Sequence, residues 1–347
     1  MANIIYILPS EKGPAGGIKV TLQHAELINK IQKKNLSKVI FVKKKKTSKW
    51  KSSIDKFFNL RSDEETTGWK FNQITVDKKN KTKWFNKNVI FKNNLIFDNK
   101  KDFVILPEIF AHFAKDLLIK NKINYAIFVQ NGHAIQFTNE LRDLNLAYSN
   151  AKFILSVSSH IDQCIKLAFP KYKNKIYKIN QSIEKHKINF NSKSNIITYM
   201  PRKLPSHSKL VLFFLKKYLP KKWTLLPLEG MNEKIIFKHL KNSKIFLSFS
   251  NLEGFGLPPL EAAVMGNLVI GYTGQAGKEY WNTPIFKKIE HGDILSFVEE
   301  IRAATKKKTN YVSINSHRKI LLKKYSKNNQ EKQIHTILTQ VDKFFKG

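Results

Sequence analysis

Two glutamates enclose a glycine-rich segment that suits phosphate and sugar chemistry. Glu253 and Glu261 stand with seven residues between them, and Gly254 and Gly256 follow the first of them. Glycine lets the backbone turn tightly and approach a ligand, and amide N–H groups at the start of a helix bind phosphate. Ionised carboxylates accept hydrogen bonds from pairs of hydroxyl groups. Because sugar nucleotides carry both phosphates and vicinal hydroxyls, the segment indicates a sugar-nucleotide site.

A strand and a helix are predicted to position this segment. Residues 245–249 form a short apolar run with the composition of a buried strand, and residues 257–265 read as a helix. Two prolines fall in the first turn of that helix, where a missing N–H costs little, and Gly266 stops it. Glu253 therefore falls at the strand end and Glu261 about one turn into the helix, so we expect both carboxylates to face one cleft.

The two glutamates around Gly-Phe-Gly-Leu-Pro resemble the donor-site signature of retaining glycosyltransferases of the GT-B fold, family four in particular. The resemblance implies an α/β protein with two Rossmann-like domains that face a central cleft, and a C-terminal helix that crosses back to the N-terminal domain. It implies a catalytic role for Glu253. It places the donor against five further residues, which are Gly254, Phe255, Gly256, Leu257 and Glu261.

A second strand, glycine loop and helix stands near the N-terminus. Residues 3–8 form a short apolar strand, and a helix with apolar positions from Ile18 onward follows Gly16 and Gly17. In the family that the sequence resembles, a Gly-Gly pair at this place lets the backbone reach the donor phosphate or the acceptor. The resemblance therefore implies Gly16 and Gly17 as donor-binding residues.

Basic residues follow a third predicted strand, residues 196–200. The strand ends in a proline and two basic residues, as does the first strand of the family's C-terminal domain. An arginine can hold two phosphate oxygens at once and stays charged, so we expect Arg202 on the diphosphate. The family adds a lysine a few residues later, and here Lys203 and Lys209 compete for that catalytic role.

The chemistry that the resemblance implies needs neither a nucleophile nor a metal. Transfer with retention requires the bond between sugar and phosphate to ionise, so the site must stabilise an oxocarbenium-like centre and a departing diphosphate. The sequence contains no Asp-x-Asp pair, the usual clamp for a divalent ion on a diphosphate. We therefore predict a metal-independent enzyme without a cofactor. In the family the leaving phosphate takes the acceptor proton, so no separate general base is required.

Two N-terminal side chains are candidates for contact with the reacting groups. His133 follows a predicted strand, residues 124–130, and a family histidine in a comparable loop touches the donor sugar near its reacting carbon. Glu108 ends another predicted strand and could face the acceptor. His24 lies on the apolar side of the first helix, which favours a packed histidine over a catalytic one.

Length and composition predict two α/β domains. The chain has 347 residues, of which 42% are hydrophobic, and this exceeds what one core normally holds. Alternating strands and helices favour mostly parallel sheets. We predict an N-terminal acceptor-side domain over residues 1–182, a sugar-nucleotide-binding domain over 183–326, and a helix over 327–347 whose apolar stripe from Ile334 to Phe344 packs back on the first domain.

A formal net charge of +36 indicates a polyanionic partner. Lysines and aromatic residues are densest between residues 41 and 101. This mixture suits an anionic membrane surface, which is our first choice, and it also suits a nucleic-acid backbone or a merely solvated face. Cys164 is the only cysteine, and the sequence shows neither a secretion signal nor a bilayer-spanning run. We expect a cytoplasmic protein that is soluble or peripheral on the inner face of the membrane.

Three functions are compatible with these features. The first is a glycosyltransferase that builds a cell-surface glycan or glycolipid on a glycan or lipid-linked acceptor. The second keeps the enzyme but takes a modified DNA base as its acceptor. The third is a noncatalytic sugar-nucleotide-binding protein, and the presence of Glu253, Glu261 and Arg202 disfavours it. The base and sugar of the donor, the acceptor and the linkage stay open, because pocket shape selects them.

Overall fold

The structure is a computed structural model of the chain. The residues that it describes are 2–11, 15–33, 36–44, 73–79, 85, 89–137, 141–201, 203–282 and 284–345. The chain divides into two compact units. The first unit consists of residues 1–157, 161–179 and 331–347, and the second of residues 158–160 and 180–330.

The first unit contains a mostly parallel sheet of eight strands. They are β1 (Asn3–Pro9), β2 (Ser37–Lys44), β3 (Ile74–Val76), β4 (Ile90–Phe91), β5 (Asp102–Pro107), β6 (Asn124–Val129), β7 (Phe153–Ser156) and β8 (Ile176–Lys178). Their order is β3-β2-β1-β5-β6-β7-β8, with β4 beside β2 and β3 antiparallel to β2. The order reverses at β1, which lies between β2 and β5. Ligands of open parallel sheets bind beyond the carboxyl ends of the strands at such a reversal.

Helices and short helical turns complete this unit. They are α1 (Gly16–Gln32), 3-10 turns at Glu108–Phe113 and Gly132–Phe137, a π turn at Lys115–Ile119, α2 (Leu141–Asn150), α3 (Ser159–Ala168) and a 3-10 turn at Pro170–Lys175. The apolar side chains of α1 recur at helical spacing, and Leu22, Ala25 and Ile28 are buried. The first turn of α1 therefore has a fixed place at the carboxyl end of β1.

The second unit contains a five-stranded parallel sheet. Its strands are β9 (Ser194–Tyr199), β10 (Thr224–Pro227), β11 (Ser243–Glu253), β12 (Leu268–Gln275) and β13 (Phe286–Lys288), in the order β10-β9-β11-β12-β13. Its helices are α4 (Pro205–Leu215), α5 (Glu233–Asn242), α6 (Leu257–Val264), α7 (Ile294–Lys306) and α8 (Tyr311–Lys324). The order reverses at β9, so the ends of β9 and β11 border the expected ligand position. The predicted α/β class with mostly parallel sheets is confirmed.

The last helix, α9 (Lys327–Lys343), carries the predicted apolar stripe. Ile334, Leu338 and Val341 are buried, and residues 331–347 belong to the first unit. The ring of Phe344 stacks on Phe103 of β5, with the ring centroids 6.3 Å apart. The apolar side of α9 is therefore part of the core of the first unit.

A buried lysine closes the amino-terminal edge of the second sheet. Lys193 is 6% exposed, and its Nζ donates to the backbone oxygens of Ser243, at 2.6 Å, and Leu240, at 3.3 Å. These carbonyls end α5, where a cation is favoured. Burial and, to a smaller extent, the nearby Arg318 lower the pKa of Lys193 to about 7. Lys193 therefore donates hydrogen bonds to the carbonyls at the end of α5, while its burial disfavours the charged form.

This burial predicts a pH dependence of stability. The Lys193 pKa falls from 10.5 in the unfolded chain to about 7, so the unfolded state binds more protons between these values. We expect the free energy of unfolding of the second unit to rise with pH across this window, by at most about 1.4 kcal/mol per pH unit. Urea titrations of the wild type and Lys193→Met measure the difference. An identical slope in both proteins would rule out this assignment.

Candidate active site

An ion pair joins the ends of the two strands at the reversal of the second sheet. Lys203 follows β9, and its Nζ lies 2.6 Å from Oε1 of Glu253, the last residue of β11. The side chain of Glu253 is 21% exposed and that of Lys203 41%, so the pair lies at the surface of the unit with solvent access. The lysine offsets the charge of a carboxylate that would otherwise repel a phosphate at this position.

Of the two lysines that compete in the sequence, Lys203 is the one that contacts Glu253. Lys209 lies exposed in the second turn of α4. Arg202, the predicted diphosphate ligand, lies outside the described residues.

The predicted glycine loop connects β11 to α6. Gly256 is the N-cap of α6 and has φ +81°, a left-handed conformation that favours glycine. Its carbonyl accepts a hydrogen bond from the Tyr280 hydroxyl at 2.5 Å, and the carbonyl of Gly254 accepts one from Ser158 Oγ at 2.8 Å. Phe255 is buried, and its ring packs on Tyr280 at 5.7 Å between centroids. These two hydrogen bonds to glycine carbonyls and the buried ring of Phe255 therefore hold the loop in place.

The start of α6 offers an anion a helix N-terminus. Leu257 and Pro258 open the helix and are half-buried, and Glu261 is half-buried in the second turn. The positive end of the helix dipole favours a phosphate here, although among the first four helical residues only Leu257 and Leu260 carry a backbone N–H, since Pro258 and Pro259 lack one. Glu253 and Glu261 thus flank the loop from the strand end and from the helix, as the sequence predicts.

Replacing Gly256 with alanine tests this anchoring. A Cβ at this position would lie 2.8 Å from the Tyr280 hydroxyl, and φ would stay in the left-handed region. We expect Gly256→Ala to lower the free energy of unfolding by about 1–2 kcal/mol. Tyr280→Phe removes the clashing oxygen and costs about 1 kcal/mol through the lost hydrogen bond. The double variant should lose less than the sum of the two, whereas additive losses in urea titrations would contradict the packing.

Strained backbone surrounds the ion pair, and the sequence analysis missed it. Leu204 has φ +43° and Gln275 φ +69°, both left-handed conformations that non-glycine residues seldom adopt. A Cβ at Gly274 would lie 2.9 Å from Cγ of Glu253, so glycine is what lets the end of β12 come this close to the glutamate. Such strain is concentrated at functional sites. Gly274 stands in a Thr-Gly-Gln-Ala-Gly run, a glycine signal that could have indicated it.

The first unit brings its predicted residues together at the ends of β1, β5 and β6. Gly16 and Gly17 open α1, and a Cβ at Gly17 would lie 2.7 Å from Oε1 of Gln130. The Nε2 of Gln130 donates to Thr21 Oγ1 at 2.9 Å. Gly17 thus allows α1 to approach the end of β6, while a Cβ at Gly16 would meet nothing within 4 Å. Neither Gln130 nor Thr21 was predicted as a site residue, because neither belongs to a recognisable motif.

Glu108 is buried beneath the loop that carries His133. The residue is 5% exposed, and its Oε1 accepts a hydrogen bond from the backbone N–H of Asn131 at 2.8 Å. Burial raises the pKa of Glu108 to about 7, against the lowering effect of backbone hydrogen bonds. The side-chain oxygen of Asn131 accepts in turn from the His133 amide at 3.1 Å. The glutamate predicted to face the acceptor instead supports the backbone next to His133.

Two histidines of the first unit, His133 and His24, differ in environment. His133 is half-buried in the 3-10 turn, and burial lowers its pKa below the ordinary value, which favours the neutral ring at pH 7. His24 is fully buried and stacks on Phe128 at 5.4 Å between centroids. Burial lowers the pKa of His24 to about 4. His24 therefore packs in the core, as predicted.

Solved structures share the architecture of the two units. HepE from Anabaena in complex with UDP has a TM-score of 0.68 and 11% identity, and the match covers 98% of this chain and 100% of HepE. The lipopolysaccharide outer core galactosyltransferase WaaB matches with a TM-score of 0.61, 13% identity and coverage of 97% and 99%. A glycosyltransferase from Rickettsia africae matches with a TM-score of 0.58, 14% identity and coverage of 100% and 99%.

The chain has the fold of the GT-B glycosyltransferases. A TarM variant from S. aureus has the same fold, and the chain spans 57% of its length. No family model and no curated protein matches the sequence. The GT-B part of the resemblance is therefore confirmed, and membership of family four stays a prediction.

In the described part of the chain, no group of three or more His, Cys, Asp or Glu side chains is placed to hold a metal ion. Among those same residues, no helix is both long and apolar enough to cross a bilayer.

Proposed function

We propose that the chain is a glycosyltransferase that moves a sugar from a nucleoside diphosphate sugar to an acceptor with retention of configuration. The observation that carries this proposal is the Lys203–Glu253 ion pair at the strand-order reversal, beside the start of α6. The comparisons support it, since HepE and the TarM variant were solved with UDP, and GtfA was solved with UDP and GlcNAc. UDP is accordingly the first donor nucleotide to test.

In this proposal the second unit binds the donor and stabilises the leaving group. The positive end of the α6 dipole faces the diphosphate, and Lys203 and Arg202 add positive charge as the bond between sugar and phosphate breaks. Glu253 accepts hydrogen bonds from hydroxyls of the donor sugar, and Glu261 accepts them from the ribose. Ion-pairing to Lys203 holds the Glu253 carboxylate in place while it does so.

The first unit supplies His133 and the glycine loop at α1. The neutral imidazole can accept or donate a hydrogen bond at a sugar hydroxyl near the reacting carbon. Gly16 and Gly17 let the backbone come close to the donor phosphate or the acceptor. The leaving phosphate takes the proton of the acceptor hydroxyl, so the transfer forms one glycosidic bond and releases a nucleoside diphosphate without a separate base.

A cell-surface glycan or glycolipid is the acceptor class that we propose. WaaB acts in the lipopolysaccharide outer core, and the TarM variant was solved with α-GlcNAc-glycerol. The basic segment between residues 41 and 101 was predicted to contact a polyanion, but residues 45–72 and most of 80–88 lie outside the described part of the chain. That assignment stays a prediction.

Product analysis tests the reaction type. The protein is incubated with a panel of UDP-sugars and a saccharide-glycerol acceptor, with EDTA or with Mg²⁺, and release of UDP is measured. We expect turnover in EDTA, and proton NMR should show the donor's anomeric configuration in the product. An inverted product, or turnover that disappears in EDTA and returns with Mg²⁺, would contradict the proposal.

A further inference from the structure

Helix α4 carries apolar side chains on its exposed side as well as its buried side. Val211 and Leu215 are buried in the core of the second unit, whereas Leu210 is 43% exposed and Phe213 is 60% exposed. Residues three apart lie on the same side of a helix. A surface helix normally keeps that side polar. The exposed pair is therefore not accounted for by folding of the unit.

Exposed lysines lie close to Leu210 and Phe213 along the chain. Lys209, Lys216 and Lys217 are exposed on α4 and the turn after it, within four residues of Leu210 or Phe213. Lys221 and Lys222, a few residues further on, are exposed as well, and residues 205–228 contain no Asp or Glu. The exposed lysines therefore give this part of the chain a positive charge.

Tyr218 extends the surface beyond the helix. It is 49% exposed, and the guanidinium of Arg302 lies 4.1 Å from the centre of its ring. The same guanidinium pairs with the carboxylate of Glu299 at 2.5 Å. An aromatic ring with a hydroxyl and a cation beside it suits the boundary between water and lipid.

We propose that this exposed side of α4 docks on an anionic lipid membrane, with Leu210 and Phe213 at the centre of the contact. An amphipathic helix with lysines on its polar edge lies in the membrane interface and buries its apolar side chains by about 5–10 Å. The lysine stems reach along the apolar surface and place their charges among anionic headgroups. A nucleic acid would match the charge but would leave the leucine and phenylalanine in contact with phosphate and water.

The apolar part of the surface is tested by flotation of the full chain. The vesicles contain phosphatidylcholine with about one third phosphatidylglycerol, and pure phosphatidylcholine is the comparison. We expect binding only to the mixed vesicles, and a loss of at least about tenfold in the Leu210→Ser, Phe213→Ser double variant. The control is Val312→Ser with Ile320→Ser on α8, which are 84% and 58% exposed and should bind as the wild type does.

The charged part of the surface has its own matched pair of variants. Lys216→Gln with Lys217→Gln should weaken binding to the mixed vesicles by about tenfold, because each lysine near an anionic surface adds attraction. The control is Lys171→Gln with Lys173→Gln, two exposed lysines in the 3-10 turn at Pro170–Lys175 of the first unit. An equal loss in both pairs would indicate attraction by overall charge and would overturn the proposal.

A fluorescent probe reports insertion while the apolar pair is kept. Cys164 is the only cysteine, so Ser206→Cys in a Cys164→Ser background gives one site for an environment-sensitive dye, one turn before Leu210. The control is Ser316→Cys on α8, also exposed. We expect a blue shift with mixed vesicles at residue 206 and none at residue 316.

Three further results would overturn the proposal. They are failure of the folded wild type to bind mixed vesicles, equal responses of the two dyes, and undiminished binding of the Leu210→Ser, Phe213→Ser variant. A wild-type dimer that this variant converts to a monomer, with no vesicle binding by either, would assign the surface to a second copy of the chain. None of these readouts depends on transferase activity, so they stand apart from the proposed function.

Discussion

Lys203→Ala should lower kcat/KM for the sugar nucleotide by about a hundred- to thousandfold, the usual cost of removing one group that stabilises developing charge. The loss has two causes. The departing diphosphate loses a cation, and the Glu253 carboxylate, 2.6 Å from Lys203 Nζ in the wild type, is left unpaired beside it. Steady-state kinetics with saturating acceptor measure the change, which should fall mainly on kcat.

A double-variant cycle separates these two causes. In Glu253→Gln the carboxylate charge is gone, so removing Lys203 from that background should cost less than removing it from the wild type. Lys209→Ala is the control variant for Lys203→Ala, because Lys209 lies exposed on α4. A larger loss for Lys209→Ala than for Lys203→Ala would reverse the choice between the two lysines.

Glu108→Gln should remove a pH dependence from both stability and turnover. Burial raises the pKa of Glu108 from 4.5 to about 7, so the folded state binds more protons than the unfolded state between these values. The free energy of unfolding of the first unit should therefore fall as the pH rises through this window, by up to about 3 kcal/mol in total. The glutamine cannot ionise, so this fall should be absent in the variant.

Turnover should respond in the opposite direction. The ionised carboxylate is the stronger acceptor for the Asn131 amide, and Asn131 in turn holds the His133 amide. We expect kcat to rise with pH through about 7 in the wild type and to be flat in Glu108→Gln. Asp116→Asn is the control, because that carboxylate is exposed and pairs with Lys120 at 2.5 Å. Parallel pH profiles for wild type and Glu108→Gln would show that Glu108 does not set this dependence.

The elements that carry the site could be predicted from the sequence because their signals are local. Apolar runs followed by glycines predicted the ends of β1 and β11, and Gly256 indeed has the left-handed φ that a glycine N-cap allows. The extent of β11 was underestimated, since it continues to Glu253 through polar residues that pair with β12. Pairing between strands is a long-range interaction that strand composition does not reveal.

Side-chain partners were harder to predict than elements. Lys203 and Glu253 are fifty positions apart, and only the β9–β11 neighbourhood brings them together. Side chains at a strand end are usually exposed. That of Glu108 instead lies beneath the next loop, where it accepts a hydrogen bond from the backbone N–H of Asn131. The strain at Gln275 had no sequence signal, because glutamine is rarely left-handed.

Nucleotide binding is the measurement that we would make to test the donor site. Purified protein in EDTA is screened by thermal shift and calorimetry against nucleoside diphosphates, beside Glu261→Ala and the exposed control Glu290→Ala. We expect one nucleotide to stabilise the wild type and the control, by about 2.7 kcal/mol at a hundredfold excess over Kd, and to do so far less in Glu261→Ala. Folded wild-type protein that binds no nucleoside diphosphate, or that binds one equally well without Glu261, would contradict a donor site at β11 and α6.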